Sequence, residues 1–274
     1  MFDAHVHAAP DIVDRRHDDL QTAQAYRDAG FTGFVLKAHY ESTVGRAAAA
    51  ASVSGLQVYG GVALNQHVGG VNPAAVEAAL AAGGRVVWLP TADSHTQQSA
   101  GLPRLCDQGA TLSAHAYALP PVDPDAMVAA SEVISMVAEH DVVLATGHIS
   151  EAECRWVVER ATALGVGRML LTHPSYTVPA IGPAQIEELA DAGAHVEITA
   201  FQLLHQTGCT PAMLARVARA AGSRLVLSSD AGQVDSPDPP EALSMLLQAL
   251  ASEGLDTGWL SAAASDVPAA LFAP

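Results

Sequence analysis

The sequence holds a single lysine. Lys37 stands against 12 arginines among the 13 basic residues of a 274-residue chain. Where this chain needs only positive charge, it uses arginine. A lone lysine inside an apolar run therefore marks a place where an amine is wanted for its chemistry.

Positive charge as a whole is scarce. Thirteen Lys+Arg face 29 Asp+Glu, a formal net charge of −16. A surface that acidic repels nucleic acid and anionic membrane, so neither is expected as a partner. The acidity itself reads as solubility rather than function. Cysteine is scarce too: Cys106, Cys154 and Cys209 are far apart, odd in number and form no Cys-x-x-Cys. That favours a reduced, cytoplasmic setting over a disulfide scaffold. No apolar run reaches the roughly 18 residues that span a bilayer. No leader is expected either, because a strand-like run opens at Phe2.

What is present is apolar. Hydrophobic residues make up 50% of the chain and charged ones 15%, which supports a large buried core and leaves little room for disorder. Eight short β-like runs alternate with helical patterns: Phe2–His7, Gly33–His39, Val58–Asn65, Arg85–Thr91, Val142–His148, Arg168–His173, His195–Thr199 and Arg224–Asp230. They lack clean polar alternation, as strands buried on both faces do. Helical spacing fills the intervals, from Asp18–Ala29 to Pro240–Glu253, with a capping box at Ser150 and Glu153. Gly30, Gly83, Gly165, Gly193 and Gly222 stand where helices stop. This order predicts an α/β fold, one (β/α)₈ barrel domain over residues 1–274; a doubly wound open sheet is the alternative. No Gly-x-Gly-x-x-Gly follows the first run, which argues against dinucleotide binding. The longest irregular stretch, residues 92–122 after the fourth run, reads as a substrate lid or insertion.

In such barrels the functional face lies at the carboxyl ends of the strands. Here the runs repeatedly end in a metal-ligand or titratable residue. His5 and His7, two apart on a strand, share one face and suit a transition metal. His148 and His173 end the fifth and sixth runs. Asp230 ends the eighth, beside the first, where it can bind metal and take a proton from water. Lys37 is in phase with His39, so both should point inward. A buried amine can react with carbon dioxide to give a carbamate whose two oxygens bridge two metals. It can equally stay charged, paired with Asp230 or Glu197, or serve as a substrate-binding cation. His39 is a ligand or a substrate donor; His39 and His95 are candidates to stabilise an oxyanion. Asn65, Asp93 and Tyr117 are candidates for substrate binding, with Trp88 shaping the pocket. Glu197 reads as a barrel-layer partner or a site residue. Gly69-Gly70 reads as a tight turn in preference to an anion-holding nest. His17, His67, His115, His140, His195 and His205 read as structural or surface residues.

The pattern His5-x-His7, His148, His173 and Asp230 resembles the amidohydrolase superfamily, in order and over nearly the whole chain. The resemblance implies a distorted (β/α)₈ barrel with one or two divalent metals, Zn, Fe or Mn. It places His5, His7 and Asp230 on the first metal and His148 and His173 on the second. A bridging hydroxide would attack a carbonyl or phosphoryl centre while Asp230 shuttles the proton. The superfamily's bridging Lys or Glu at the end of the fourth strand is missing, since Leu89-Pro90-Thr91 stands there; Lys37, on the second, is the candidate replacement. Leu36-Lys37-Ala38-His39-Tyr40-Glu41 and Ser229-Asp230-Ala231-Gly232-Gln233 are similar to a bacterial branch of that superfamily. The expected activity is metal-dependent hydrolysis of an amide, lactone, ester or thioester, an acyl-CoA included. Phosphoester hydrolysis or decarboxylation on the same scaffold is the alternative. The expected partner is a small-molecule substrate, with a homo-oligomer open as the assembly.

Overall fold

The structure, a computed structural model, describes residues 1–102 and 115–274. Its strands are β1 Phe2–Val6, β2 Gly33–Leu36, β3 Gln57–Tyr59, β4 Gly61–Ala63, β5 Val86–Trp88, β6 Val143–Ala145, β7 Met169–Leu171, β8 His195–Thr199 and β9 Leu225–Ser228. Pairing runs β1-β2-β3 and β4-β5-β6-β7-β8-β9, every pair parallel. β3 and β4 are two halves of one strand broken at Gly60, so the eight expected runs are all present. The break is stitched by Thr43. Its hydroxyl donates to the Leu36 carbonyl at 2.7 Å and accepts from the Gly61 N–H at 3.0 Å. A Cβ at position 60 would sit 2.5 Å from the Thr43 carbonyl oxygen, so the approach needs glycine.

The ring closes between β9 and β1. The Asp230 N–H donates to the His5 carbonyl at 2.8 Å, the His7 N–H donates to the Ala231 carbonyl at 2.9 Å, and Val6 bridges Ala231 in parallel. The result is a (β/α)₈ barrel in one domain. Side chains sort by strand phase. Phe2, Ala4, Val35, Ala63, Val86, Trp88, Val143, Ala145, Leu170 and Val226 pack together inside the ring, while Phe34, Leu36, Val87, Leu144, Leu171, Val196 and Ile198 pack under the helices.

The helices are α1 Asp19–Asp28, α2 Val44–Ser54, α3 Pro73–Ala81, α4 His95–Ser99, α5 Met127–Glu139, α6 Glu151–Ala163, α7 Pro183–Asp191, α8 Ala200–His205, α9 Pro211–Ala221, α10 Pro239–Ser252, α11 Thr257–Ala263 and α12 Asp266–Phe272. The capping box at Ser150 and Glu153 is formed, and a second one, Asp18 with Gln21, starts α1. α12 plugs the lower end of the barrel: the Phe272 ring stacks on Phe2 with centroids 6.3 Å apart. The short helices α4 and α8, which sequence periodicity did not announce, stand at the upper end. Among the described residues no helix is long and apolar enough to cross a membrane.

The expected lid, residues 92–122, falls partly outside the described residues. What is described ties its two ends together: the Tyr117 N–H donates to the Asp93 carbonyl at 2.8 Å, and the His95 N–H to the Tyr117 carbonyl at 2.7 Å. Gly69 and Gly70 both have positive φ, 83° and 75°, and form a turn. The Tyr117 ring occupies the space a Gly70 side chain would take, with a ring carbon 2.1 Å from the Cβ position. Cys154 and Cys209 are free thiols; Cys106 lies outside the described residues.

Candidate metal centre

A single extra residue in β1 aims the site. Asp3 pairs with Phe34 and Val6 with Leu36, so three steps on β1 match two on β2. This bulge shifts the phase of the strand. Phe2 and Ala4 point into the ring, Asp3 points out to Tyr26 of α1, and beyond the bulge His5 and His7 point in. Without it, His5 would share the outward phase of Asp3.

The imidazoles then meet Asp230. Oδ1 of Asp230 lies 3.2 Å from Nε2 of His5 and 3.2 Å from Nε2 of His7. One ligand atom from each of His5, His7 and Asp230 falls within 4.8 Å of the other two, all three residues being buried. Oδ2 of Asp230 lies 3.8 Å from Nε2 of His173. The His173 and His148 rings are neighbours, with centroids 5.0 Å apart. Both Asp230 and His173 hold left-handed backbone, with φ of 49° and 25°. For residues other than glycine this is strained, and such strain concentrates at functional sites.

Each ring is turned by a partner behind it. Glu197 of β8 holds Nδ1 of His5 at 3.1 Å, accepts the Ser228 hydroxyl at 2.7 Å and accepts the His173 N–H at 3.1 Å. Gln97 of α4 holds Nδ1 of His148 at 3.1 Å. Thr91 holds Nδ1 of His39 at 2.8 Å. A second cluster, His5, His173 and Glu197, also has ligand atoms close together. There Glu197 contacts the nitrogen of His5 that faces away from Asp230, so it orients the ligand rather than adding a second cage.

Lys37 lies at the floor of this cluster, 1% exposed, with Nζ 3.1 Å from Nε2 of His5 and 5.8 Å from the centroid of the Trp88 ring. Among the described residues no carboxylate oxygen comes within 4.0 Å of Nζ, so the direct ion pair with Asp230 or Glu197 is not formed. Burial lowers the amine to about 8, against the pull of Asp230 and Glu197. Burial likewise pushes His5 and His173 down to about 3, and His7, His39 and His148 well below the ordinary histidine value. Neutral imidazole is the state that ligates metal. Asp230 and Glu197 are raised by burial.

The cluster fits a divalent metal on its own chemistry. Nitrogen ligands and a carboxylate converge. Nε2 of His148 and Nδ1 of His173 are buried and have no hydrogen-bond partner among the described residues. With Gln97 on its other nitrogen, His148 presents Nε2 as a ready donor. Buried polar atoms rarely stay orphaned, and a metal ligand explains one that does.

A cavity of about 600 Å³ opens over the cluster, lined by His7, Arg15, Lys37, His39, Gln97, His148, His173, Tyr176, Phe201, His205, Asp230 and others. Five of the six expected metal residues, and His39, thus border it; His5 lies beneath. Besides His5, four expected site residues do not. His95 is the first residue of α4, is exposed, lies 3.4 Å from the Ser99 hydroxyl and borders a separate hollow with Val178 and Pro179. Asn65 donates to Thr91 Oγ1 and the His39 carbonyl and accepts from the Thr91 and Asp93 N–H groups, so its amide is spent on the strand ends. Asp93 accepts from the Tyr40 hydroxyl and the Gln66 N–H. Tyr117 packs on Gly70 and the His115 ring. These three join loops instead of facing the cavity. Conversely His205, read as structural or surface, lines it. Arg15, Gln97, Tyr176 and Phe201 were not singled out. They sit on loops and short helices, where periodicity carries no signal.

The barrel fold is shared with several solved structures named as hydrolases. It resembles an amidohydrolase from Pseudomonas aeruginosa, 13% identical, TM-score 0.63, over 100% of this chain and 96% of that one. It also resembles an organophosphorus hydrolase from Deinococcus radiodurans, 16% identical, TM-score 0.65, over 98% of this chain and 92% of that one. A PTE-like lactonase variant from the same organism is 14% identical, TM-score 0.60, over 98% and 95%. At these identities the likeness is one of fold. By sequence the chain belongs to the Family of unknown function (DUF6282), whose pattern matches residues 1–197. No curated protein matches it.

Proposed function

We propose that the chain is a metal-dependent hydrolase of a small carbonyl compound: an amide, lactone, ester or thioester. The observation that carries this reading is the convergence of His5 Nε2, His7 Nε2 and Asp230 Oδ1 at the floor of an open cavity. Structural neighbours named amidohydrolase, lactonase and organophosphorus hydrolase support it.

In this reading His5, His7 and Asp230 would hold one divalent ion, zinc, iron or manganese, and His148 and His173 would hold a second. Bound there, the ions would polarise a carbonyl and lower the pKa of a water. Asp230, whose burial favours its protonated form, takes the proton of the attacking water and returns it to the leaving group. His39, held at Nδ1 by Thr91, offers Nε2 to the developing oxyanion. Lys37 would complete the ligand set: its neutral amine would add to carbon dioxide, forming a C–N bond as one C=O π bond opens and one proton is released, and the carbamate would offer two oxygens where the fourth strand has no ligand. An acyl-CoA is disfavoured as substrate, because Arg15 is the only arginine among the described residues lining the cavity.

The test joins metal analysis with a substrate panel. The protein loaded with zinc, iron or manganese should hydrolyse at least one member of a panel of aryl esters, lactones, N-acyl amino acids, thioesters and phosphotriesters. His5→Ala should lose both metal and activity. Turnover of phosphotriesters alone would replace the carbonyl reading with a phosphoryl one. Full metal occupancy in His5→Ala, or no turnover across the panel, would overturn the proposal.

A further inference from the structure

Arg15 is built into the cavity wall in a way that metal binding does not require. It lies in the connection between β1 and α1, where its backbone bridges Gln233. Its side chain is 5% exposed and its partner Asp11 3% exposed. Nε and Nη2 both donate to Oδ2 of Asp11, at 2.7 and 2.6 Å. Oδ1 of Asp11 is engaged by the Ile12 N–H at 2.7 Å. The guanidinium is thus fixed in orientation from behind. Nη2 reaches Nδ1 of His7 at 3.3 Å, and Nη1 has no partner among the described residues. A buried, oriented guanidinium with an unfilled donor is a built anion receptor.

The contact with His7 sharpens this. Guanidinium only donates, so the contact needs an unprotonated Nδ1 and puts the ring proton on Nε2. When Nε2 serves as a metal ligand, the proton belongs on Nδ1, which then stops accepting. Nη2 is left to seek another acceptor beside Nη1, and two parallel donors match a carboxylate. The rest of the lining differs in kind: it includes the Tyr176 and Phe201 rings, whose centroids are 5.8 Å apart. Asp14 and Asp235, also bordering the cavity, are exposed at its rim. They disfavour a dianion such as phosphate more than a monoanion.

We propose, resting on the hydrolase reading, that Arg15 receives a carboxylate of the substrate. The substrate class is then a carbonyl compound with a carboxylate near the scissile bond and an apolar or aromatic group packed on Tyr176 and Phe201. An N-acyl amino acid has this pattern.

Binding tests this without turnover. Metal-loaded protein is titrated calorimetrically with 3-phenylpropionate and with neutral 3-phenylpropan-1-ol. The carboxylate should bind about tenfold to hundredfold tighter, the usual range for a charge-assisted pair. Arg15→Gln should erase that preference while leaving metal content and the affinity for the alcohol unchanged. Should Arg15→Gln fail to fold, Arg15→Lys replaces it and should lose most of the preference, since an ammonium cannot make the paired planar contact. An undiminished preference in the variant means the carboxylate sits on the metal, and overturns the proposal. Equal binding of both probes by the unsubstituted protein overturns it as well. Kinetics separate this from the hydrolase reading. Hydrolysis of N-benzoylglycine and its neutral carboxamide at equal kcat/KM sinks the Arg15 role and leaves the hydrolase standing. Arg15-dependent binding with no hydrolysis of any substrate does the reverse.

Discussion

Glu197 decides which nitrogen of His5 faces Asp230. Its Oε1 holds Nδ1 at 3.1 Å, and Nε2 is thereby turned toward Asp230. The same carboxylate fixes the His173 backbone through Oε2. Glu197→Gln keeps the shape but weakens both bonds. Metal affinity should fall about 10- to 100-fold, as it does when a carboxylate behind a ligating histidine is changed. Competition with a chelator of known affinity measures it, and unchanged affinity would mean that Glu197 only fills the barrel layer.

Lys37→Arg tests the bridge. Arginine keeps the charge and cannot form the carbamate, so the variant should bind one metal where the parent binds two. Protein loaded in the presence of ¹³C-bicarbonate should show a carbamate resonance that the variant lacks. Two metals and normal activity in Lys37→Arg would assign Lys37 to another role.

Gly232 lets the loop after β9 lie against β1. At φ 131° it holds a backbone that other residues avoid, and an added Cβ would fall 1.9 Å from the His7 carbonyl oxygen. Gly232→Ala should cost at least about 2 kcal/mol, combining backbone strain with the clash, and should displace His7 enough to lower metal content. Gly165 supplies the control: its φ is 82°, but nothing lies within 4 Å of its Cβ position. Gly165→Ala should cost some stability and no metal. Equal metal loss in both variants would remove His7 displacement as the cause.

Asp3 gives the metal-free protein a pH signature. Burial raises its carboxyl to about 6, against the bonds from Tyr26 and Ser229. A carboxyl raised on folding binds protons more tightly in the native chain. Its contribution is therefore fully present below the unfolded value near 4, and is lost as pH rises through about 6. The loss is on the order of 3 kcal/mol, from 1.36 kcal/mol per pH unit. Asp3→Asn lacks the titration. In chelator, urea unfolding should show the variant gaining on the parent between pH 4 and pH 7; a constant difference would rule out this source of pH dependence.

The barrel and the cluster of candidate ligands were legible in the sequence for one reason: strand phase places chemistry. His5 with His7, Lys37 with His39, and Asp230 all follow from alternation along buried runs. The bulge in β1 was not legible, because one extra residue leaves no mark on composition, yet it aligns the phase of His5 with the interior. Asn65 and Asp93 show that a polar strand end has more than one use. Strand ends need polar groups to tie loops together as well as to bind ligands, and Asn65 spends its amide on four such ties. Gln97, Tyr176 and Phe201 could not be read at all. They reach the cavity from connecting segments that tertiary packing positions.

The lone lysine has a practical consequence outside catalysis. Because the only ε-amine lies buried at the floor of the barrel, the protein's exterior offers no lysine side chain to acylating metabolites, glycating sugars or cross-linking reagents. Any side-chain amine label that does enter this protein reports on access to Lys37, and protection from that label becomes a direct gauge of whether the centre is filled.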